Sequence, residues 1–99
     1  MLNISKTVEN GASVFVLQGR LDTVTAPELE KELKETIPQV SEITLDFVGL
    51  EYISSAGLRV LLSTQKAMAD HGRLKIAHVN ETIMEILEVT GFSDILTIE

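Results

Sequence analysis

Cysteine and tryptophan are both absent from this 99-residue chain. Without a thiol there is neither a disulfide framework nor a thiolate metal site, which fits a reducing compartment. Aromatic residues make up only 4% of the chain against 44% hydrophobic residues in all, so Val, Ile and Leu must fill the core. Positive charge is scarce as well. Eight Lys and Arg stand against fifteen Asp and Glu, for a net charge of −7 and a pI near 4.7. So acidic a protein is repelled overall by a phosphate backbone or an anionic bilayer, and nucleic acid is not an expected partner. No apolar run approaches the roughly 20 residues that a membrane helix needs, and Met1-Leu2-Asn3-Ile4-Ser5-Lys6 is not a basic segment followed by an apolar one. The expectation is a cytoplasmic protein with no membrane insertion. Also missing are a Gly-rich phosphate loop of Walker type and a G-x-S-x-G elbow, since Ile53 stands two before Ser55. His71 and His78 have no ligand partners at metal-binding spacing and read as surface or cap residues. No catalytic residue, no cofactor and no metal is expected, and the chain is not read as an enzyme.

What is present is alternation and punctuation. Ile4 to Glu9, Asn10-Gly11 and Ala12 to Gln18 read as a β-hairpin, because Asn-Gly supplies the positive φ angles of a type I′ turn. Val14-Phe15-Val16-Leu17 is apolar on both faces, which predicts a central strand. Thr25-Ala26-Pro27-Glu28 has the spacing of a capping box, with Leu29, Leu33 and Ile37 following at helical spacing until Pro38. Glu42 to Phe47 alternates as a strand and Val48 to Ser54 reads as a loop. A second helix runs from about Ser54 to His71 and stops at Gly72, read as a left-handed C-terminal residue. Leu74 to Val79 is a strand, Asn80 caps a third helix that ends before Gly91, and Ile95 to Ile98 adds a short edge strand.

The order β-β-α-β-α-β-α-(β) predicts one α/β domain over residues 1–99. Right-handed crossovers then make a mixed β-sheet with helices packed largely on one face. Such sheets bind ligands and partners outside the carboxyl ends of their strands. Three segments fall there: the Val48 to Ser54 loop, the start of the second helix and the Gly19-Arg20-Leu21-Asp22 loop, which brings Asp22 within reach of Ser55.

A helix start leaves backbone N–H groups unpaired and carries the positive end of the macrodipole. Ser54 and Ser55 stand at that point, in Tyr52-Ile53-Ser54-Ser55-Ala56-Gly57-Leu58-Arg59. A serine there either caps the helix or presents its hydroxyl for modification, and both readings are open. Asp22 orients the Ser55 loop or contacts a partner, although an Asp in a turn before a helix is more often a turn-former. Gly57 lets a partner's backbone approach or lets the helix lie close on the sheet. Arg59, one turn beyond Ser55, is a solvated charge or a phosphate ligand.

Gly19-Arg20-Leu21-Asp22 with Thr25-Ala26, then Leu45-Asp46 and Leu50-Glu51-Tyr52-Ile53-Ser54-Ser55-Ala56-Gly57-Leu58, resembles the STAS domain of bacterial anti-sigma factor antagonists. The likeness extends to Thr90-Gly91-Phe92 and the closing Ile95-Leu96-Thr97-Ile98, and so covers a single STAS domain over residues 1–99. It implies a phosphorylation-switched binding module, monomeric when free, that regulates transcription by partner switching. Its partners would be an anti-sigma factor that is also a GHKL-type serine kinase, and a metal-dependent serine phosphatase. In the family the modified serine lies two residues before the glycine, which is Ser55 here, with Ser54 the second choice. Asp22, Thr25, Ser54, Ser55, Ala56, Gly57 and Arg59 would form the partner-binding surface. The family's usual Asp before the serine is Ser54 here, and its frequent Ser or Thr after it is Ala56. The alternative is an unphosphorylated STAS interaction subunit of a transport or signalling complex.

Overall fold

In a computed structural model that describes residues 1–70 and 72–99, the chain forms strands β1 (Leu2–Glu9), β2 (Ala12–Leu21), β3 (Glu42–Ile53), β4 (Arg73–Ala77) and β5 (Thr97–Ile98). Helices α1 (Ala26–Thr36), α2 (Ser55–Met68) and α3 (Glu81–Val89) alternate with them. The strands lie side by side in chain order, β1 antiparallel to β2 and all later neighbours parallel. The hairpin turn has the backbone its sequence demands, with φ 52° at Asn10 and 79° at Gly11.

One row across the sheet, Phe15, Leu45, Ile76 and Ile98, shows why the core lies on one side. These residues pair strand to strand on a common face, and the first three are fully buried. Leu29 and Leu33 of α1, Leu58 and Leu61 of α2, and Ile83 and Leu87 of α3 join the same cluster. The opposite face is open. Val14 on that face is 37% exposed and Val16 half-buried, so the two-sided apolarity of β2 does not reflect burial on both sides; β2 is interior only in its edgewise pairing with β1 and β3. On the core side of the β1 edge, Lys6 reaches Thr36 Oγ1 at 3.3 Å and Glu32 at 3.5 Å. An inward charge of this kind guards a free strand edge against pairing with another chain.

Three expectations about the elements are corrected. Gly19 to Leu21 and Val48 to Ile53 are not loops but the ends of β2 and β3, which pair Gly19 with Leu50, Arg20 with Tyr52 and Leu21 with Ile53 across register shifts. Bulges absorb glycines that otherwise punctuate a chain. Thr25 stands at the N-cap of α1 but makes no side-chain cap bond, so no capping box forms. Helix α2 ends at Met68; His71, read as its last residue, lies outside the described residues. Gly72 instead allows close approach, since a Cβ there would lie 2.1 Å from the Ser41 carbonyl oxygen. The left-handed glycine is Gly91, φ 83°, just beyond α3.

Candidate interaction and modification site

The parallel strands β2 and β3 end together, Leu21 pairing with Ile53, while β4 stops at Ala77 opposite Asp46, and each is followed by the start of a helix. The Ser54 N–H donates to the Leu21 carbonyl at 2.9 Å, which ties the strand-to-helix junction of α2 to the Asp22 turn. Asn80, the N-cap of α3, donates from Nδ2 to the Leu50 carbonyl at 2.8 Å and so anchors the third helix start to β3.

The two serines divide their roles. Ser54 has extended backbone (φ −97°, ψ 176°) and its Oγ accepts the Gly57 N–H at 3.4 Å, the geometry of an N-cap. Ser55 is the first residue of α2, is exposed, and its hydroxyl has no hydrogen-bond partner among the described residues. The helix start is therefore capped without it.

Asp22 is used inside its own turn. Its Oδ1 accepts the backbone N–H groups of Val24 and Thr25, each at 3.0 Å. The Thr25 hydroxyl, diverted from α1, donates to the Arg20 carbonyl at 2.8 Å and accepts the Asp22 N–H at 2.9 Å. The Thr25 backbone N–H is the leading cause that holds the Asp22 carboxyl below its ordinary 3.8, helped by the Thr25 hydroxyl, the Val24 N–H and the N-terminal ammonium and opposed by desolvation. A depressed folded-state pKa stabilises the fold above the unfolded value and ceases to do so as pH falls through the folded value. Asp22→Ala should therefore lower the thermal midpoint at neutral pH, and the gap to the wild type should narrow as pH drops from about 3.8 through the lower folded value. A gap that stays constant down to pH 2 would show that the carboxylate plays no part.

Gly57 serves packing. A Cβ there would lie 2.8 Å from both Leu21 Cγ and Ile53 Cγ1, side chains that are buried. Arg59 is exposed on α2 and, with Ala26, Pro27, Glu30, Ala56 and Val60, lines a groove of about 290 Å³ between α1 and α2. The site residues predicted from the sequence thus meet at one end of the sheet, Asp22 and Thr25 as turn-formers and Ser55 and Arg59 facing solvent. What the linear pattern did not reveal is Arg20 over the Tyr52 ring, 4.3 Å from its centroid, with its Nε 3.9 Å from Asp22 Oδ2. That pair requires the parallel register of β2 and β3, which no short-range signal carries. Nor did it reveal a carboxylate beside His78, whose Nδ1 lies 2.9 Å from Asp46 Oδ1. No group of three or more His, Asp or Glu side chains placed to hold a metal occurs among the described residues, and no described helix is long and apolar enough to cross a membrane.

A family model of the STAS domain matches residues 3–99. The chain belongs to the STAS domain family. Among its curated relatives, BtrV of Bordetella bronchiseptica, which bears a provisional anti-sigma factor antagonist name, is 33% identical over 91 residues, 90% of this chain and 78% of that protein. The anti-sigma-B factor antagonist of Bacillus subtilis is 29% identical over 94 residues, 94% of this chain and 85% of that one. These are names of regulators, not of enzymes. The fold is that of solved STAS structures: an anti-sigma factor antagonist from Mycobacterium paratuberculosis superimposes with a TM-score of 0.90 at 20% identity, covering 99% of this chain and 85% of the other. Unphosphorylated SpoIIAA gives 0.83 at 19% identity, covering 100% and 88%.

Proposed function

We propose that this STAS domain is an anti-sigma factor antagonist that works by partner switching. Unmodified, it binds an anti-sigma factor and so releases a sigma factor for transcription; the anti-sigma factor, a GHKL-type serine kinase, phosphorylates Ser55 and ends the complex, and a metal-dependent phosphatase restores it. The reading places the protein in the cytoplasm as a free monomer, which suits the guarded edge of β1. The observation that carries it is the division of labour at α2, where Ser54 caps and leaves the Ser55 hydroxyl free and exposed. A phosphate there adds about −1.5 to −2 charges at a surface that must meet a partner, without removing the cap.

The test is incubation with the cognate kinase and ATP, followed by site-localising mass spectrometry. A single phosphate is expected, abolished by Ser55→Ala and retained by Ser54→Ala, while Ser54→Ala alone loses about 1 kcal/mol of stability with the cap. A phosphate that follows Ser54 instead would move the switch by one residue. No incorporation into any of the proteins would favour the unphosphorylated interaction subunit of a transport or signalling complex, a reading suggested by Ser54 in the place of the family's Asp.

A further inference from the structure

Charge is distributed unevenly among the helices. Helix α1 carries Glu28, Glu30, Glu32 and Glu35 with Lys31 and Lys34, and α3 carries Glu81, Glu85 and Glu88 with no cation. Helix α2 has Arg59 and Lys66 and no acidic residue at all. In a protein of net charge −7, the one helix that begins with the exposed serine is the one helix with a positive balance. Three cations on the sheet are engaged, Lys6 with Glu32, Arg20 with Asp22, and Lys75 with Glu42 and Glu99, whereas Lys31, Lys34, Lys66 and Arg73 have no ion pair among the described residues. Arg59 has no anionic group within ion-pair distance among the described residues, although Glu30 lines the same groove.

Its placement relative to Ser55 is directional. Residues four apart share a helix face, and side chains on a helix lean toward its N-terminus, so Arg59 extends back over the turn that begins with Ser55. An anion on the N-terminal side of a cation at this spacing is the favourable order. Lys66, eleven residues from Ser55, lies about 16 Å further along the axis and cannot share the contact.

Resting on the reading of Ser55 as the modified residue, we propose that Arg59 is the intramolecular receptor of its phosphate. The guanidinium, free in the unmodified protein, swings onto the phosphate oxygens and leaves the groove between α1 and α2. Modification then changes two features of the docking surface together: a dianion appears at the head of α2, and the cation on the groove wall formed with Ala56 and Val60 is withdrawn.

The test needs neither kinase nor partner. Phosphoserine is installed at position 55 of the whole chain by genetically encoded incorporation, and the second ionisation of the phosphate is followed by 31P NMR titration. A neighbouring cation favours the dianion and lowers that pKa from its usual value of about 6. Arg59→Gln is expected to raise it by about 0.2–0.4 unit, Arg59→Lys by less, and Lys66→Gln not at all. Equal values for Arg59→Gln and the unsubstituted phosphoprotein would overturn the proposal. So would an equal rise in Lys66→Gln, which would mark a diffuse field and not a contact. Because the phosphate is supplied during synthesis, a serine that no kinase modifies would defeat the switch reading and leave this measurement interpretable.

Discussion

Gly19→Ala is expected to destabilise the protein by about 3 kcal/mol, roughly a 15 °C fall in thermal midpoint for a domain of this size. Gly19 sits at φ 104°, in the region that L side chains avoid, and a Cβ there would lie 2.2 Å from the carbonyl oxygen of Met1. That oxygen is backbone, and it already accepts the Arg20 N–H at 3.1 Å, so it cannot rotate away as a side chain would. Either the start of β1 peels from β2 and exposes Leu2, now 7% accessible, or the end of β2 turns and loses its pairing of Gly19 with Leu50. Both routes disturb Arg20, Leu21 and Asp22, the residues that hold the Ser54 junction. Gly91→Ala makes the matched comparison. It has a similar φ of 83° but no atom within 4 Å of the added methyl, and should lose only about 1 kcal/mol through the backbone term. Denaturant unfolding of the two variants decides the matter: a Gly19→Ala protein no less stable than Gly91→Ala would mean that the Met1 contact yields freely.

The same glycine shows where sequence patterns end. Asn10-Gly11 was legible because a two-residue I′ turn depends on its own two residues, and Asn80 and Gly91 were legible because caps are local. Gly19 and Gly49 read as loop markers, yet both lie inside strands. A Cβ at Gly49 would come within 2.6 Å of Gln18 Cγ on the neighbouring strand, a crowding that only the β2–β3 pairing creates. The capping spacing at Thr25 failed for a related reason. Its hydroxyl is in demand from the Arg20 carbonyl five residues earlier, and the Glu28 N–H that a capping hydroxyl would take donates to the Thr25 carbonyl at 3.0 Å. His78 and Asp46, 32 residues apart, meet only because β3 and β4 are neighbours. For the candidate site, the pattern identified Ser54 and Ser55 as a pair at a helix start. It could not divide their roles, since that depends on which one has the extended backbone of a cap.

That division gives the second large expected effect. Ser55→Asp should weaken binding of the anti-sigma factor on the order of 100-fold, by placing an unpaired charge where a partner must desolvate the surface. The fold should scarcely register it. Ser55 is exposed and is the first residue of α2, where a carboxylate is favoured by the helix dipole, and the Ser54 Oγ to Gly57 N–H cap is untouched. The thermal midpoint should therefore stay within about 2 °C of the wild type, whereas loss of the cap in Ser54→Ala should lower it by roughly 4–8 °C. Calorimetric titration against the anti-sigma factor, paired with thermal unfolding of each variant, separates recognition from stability. If Ser55→Asp binds as tightly as the wild type, the hydroxyl lies outside the contact and the switch must act elsewhere. If its midpoint falls as far as that of Ser54→Ala, Ser55 is part of the helix start itself, and a phosphate there would act by unfolding the turn and not by repelling a partner.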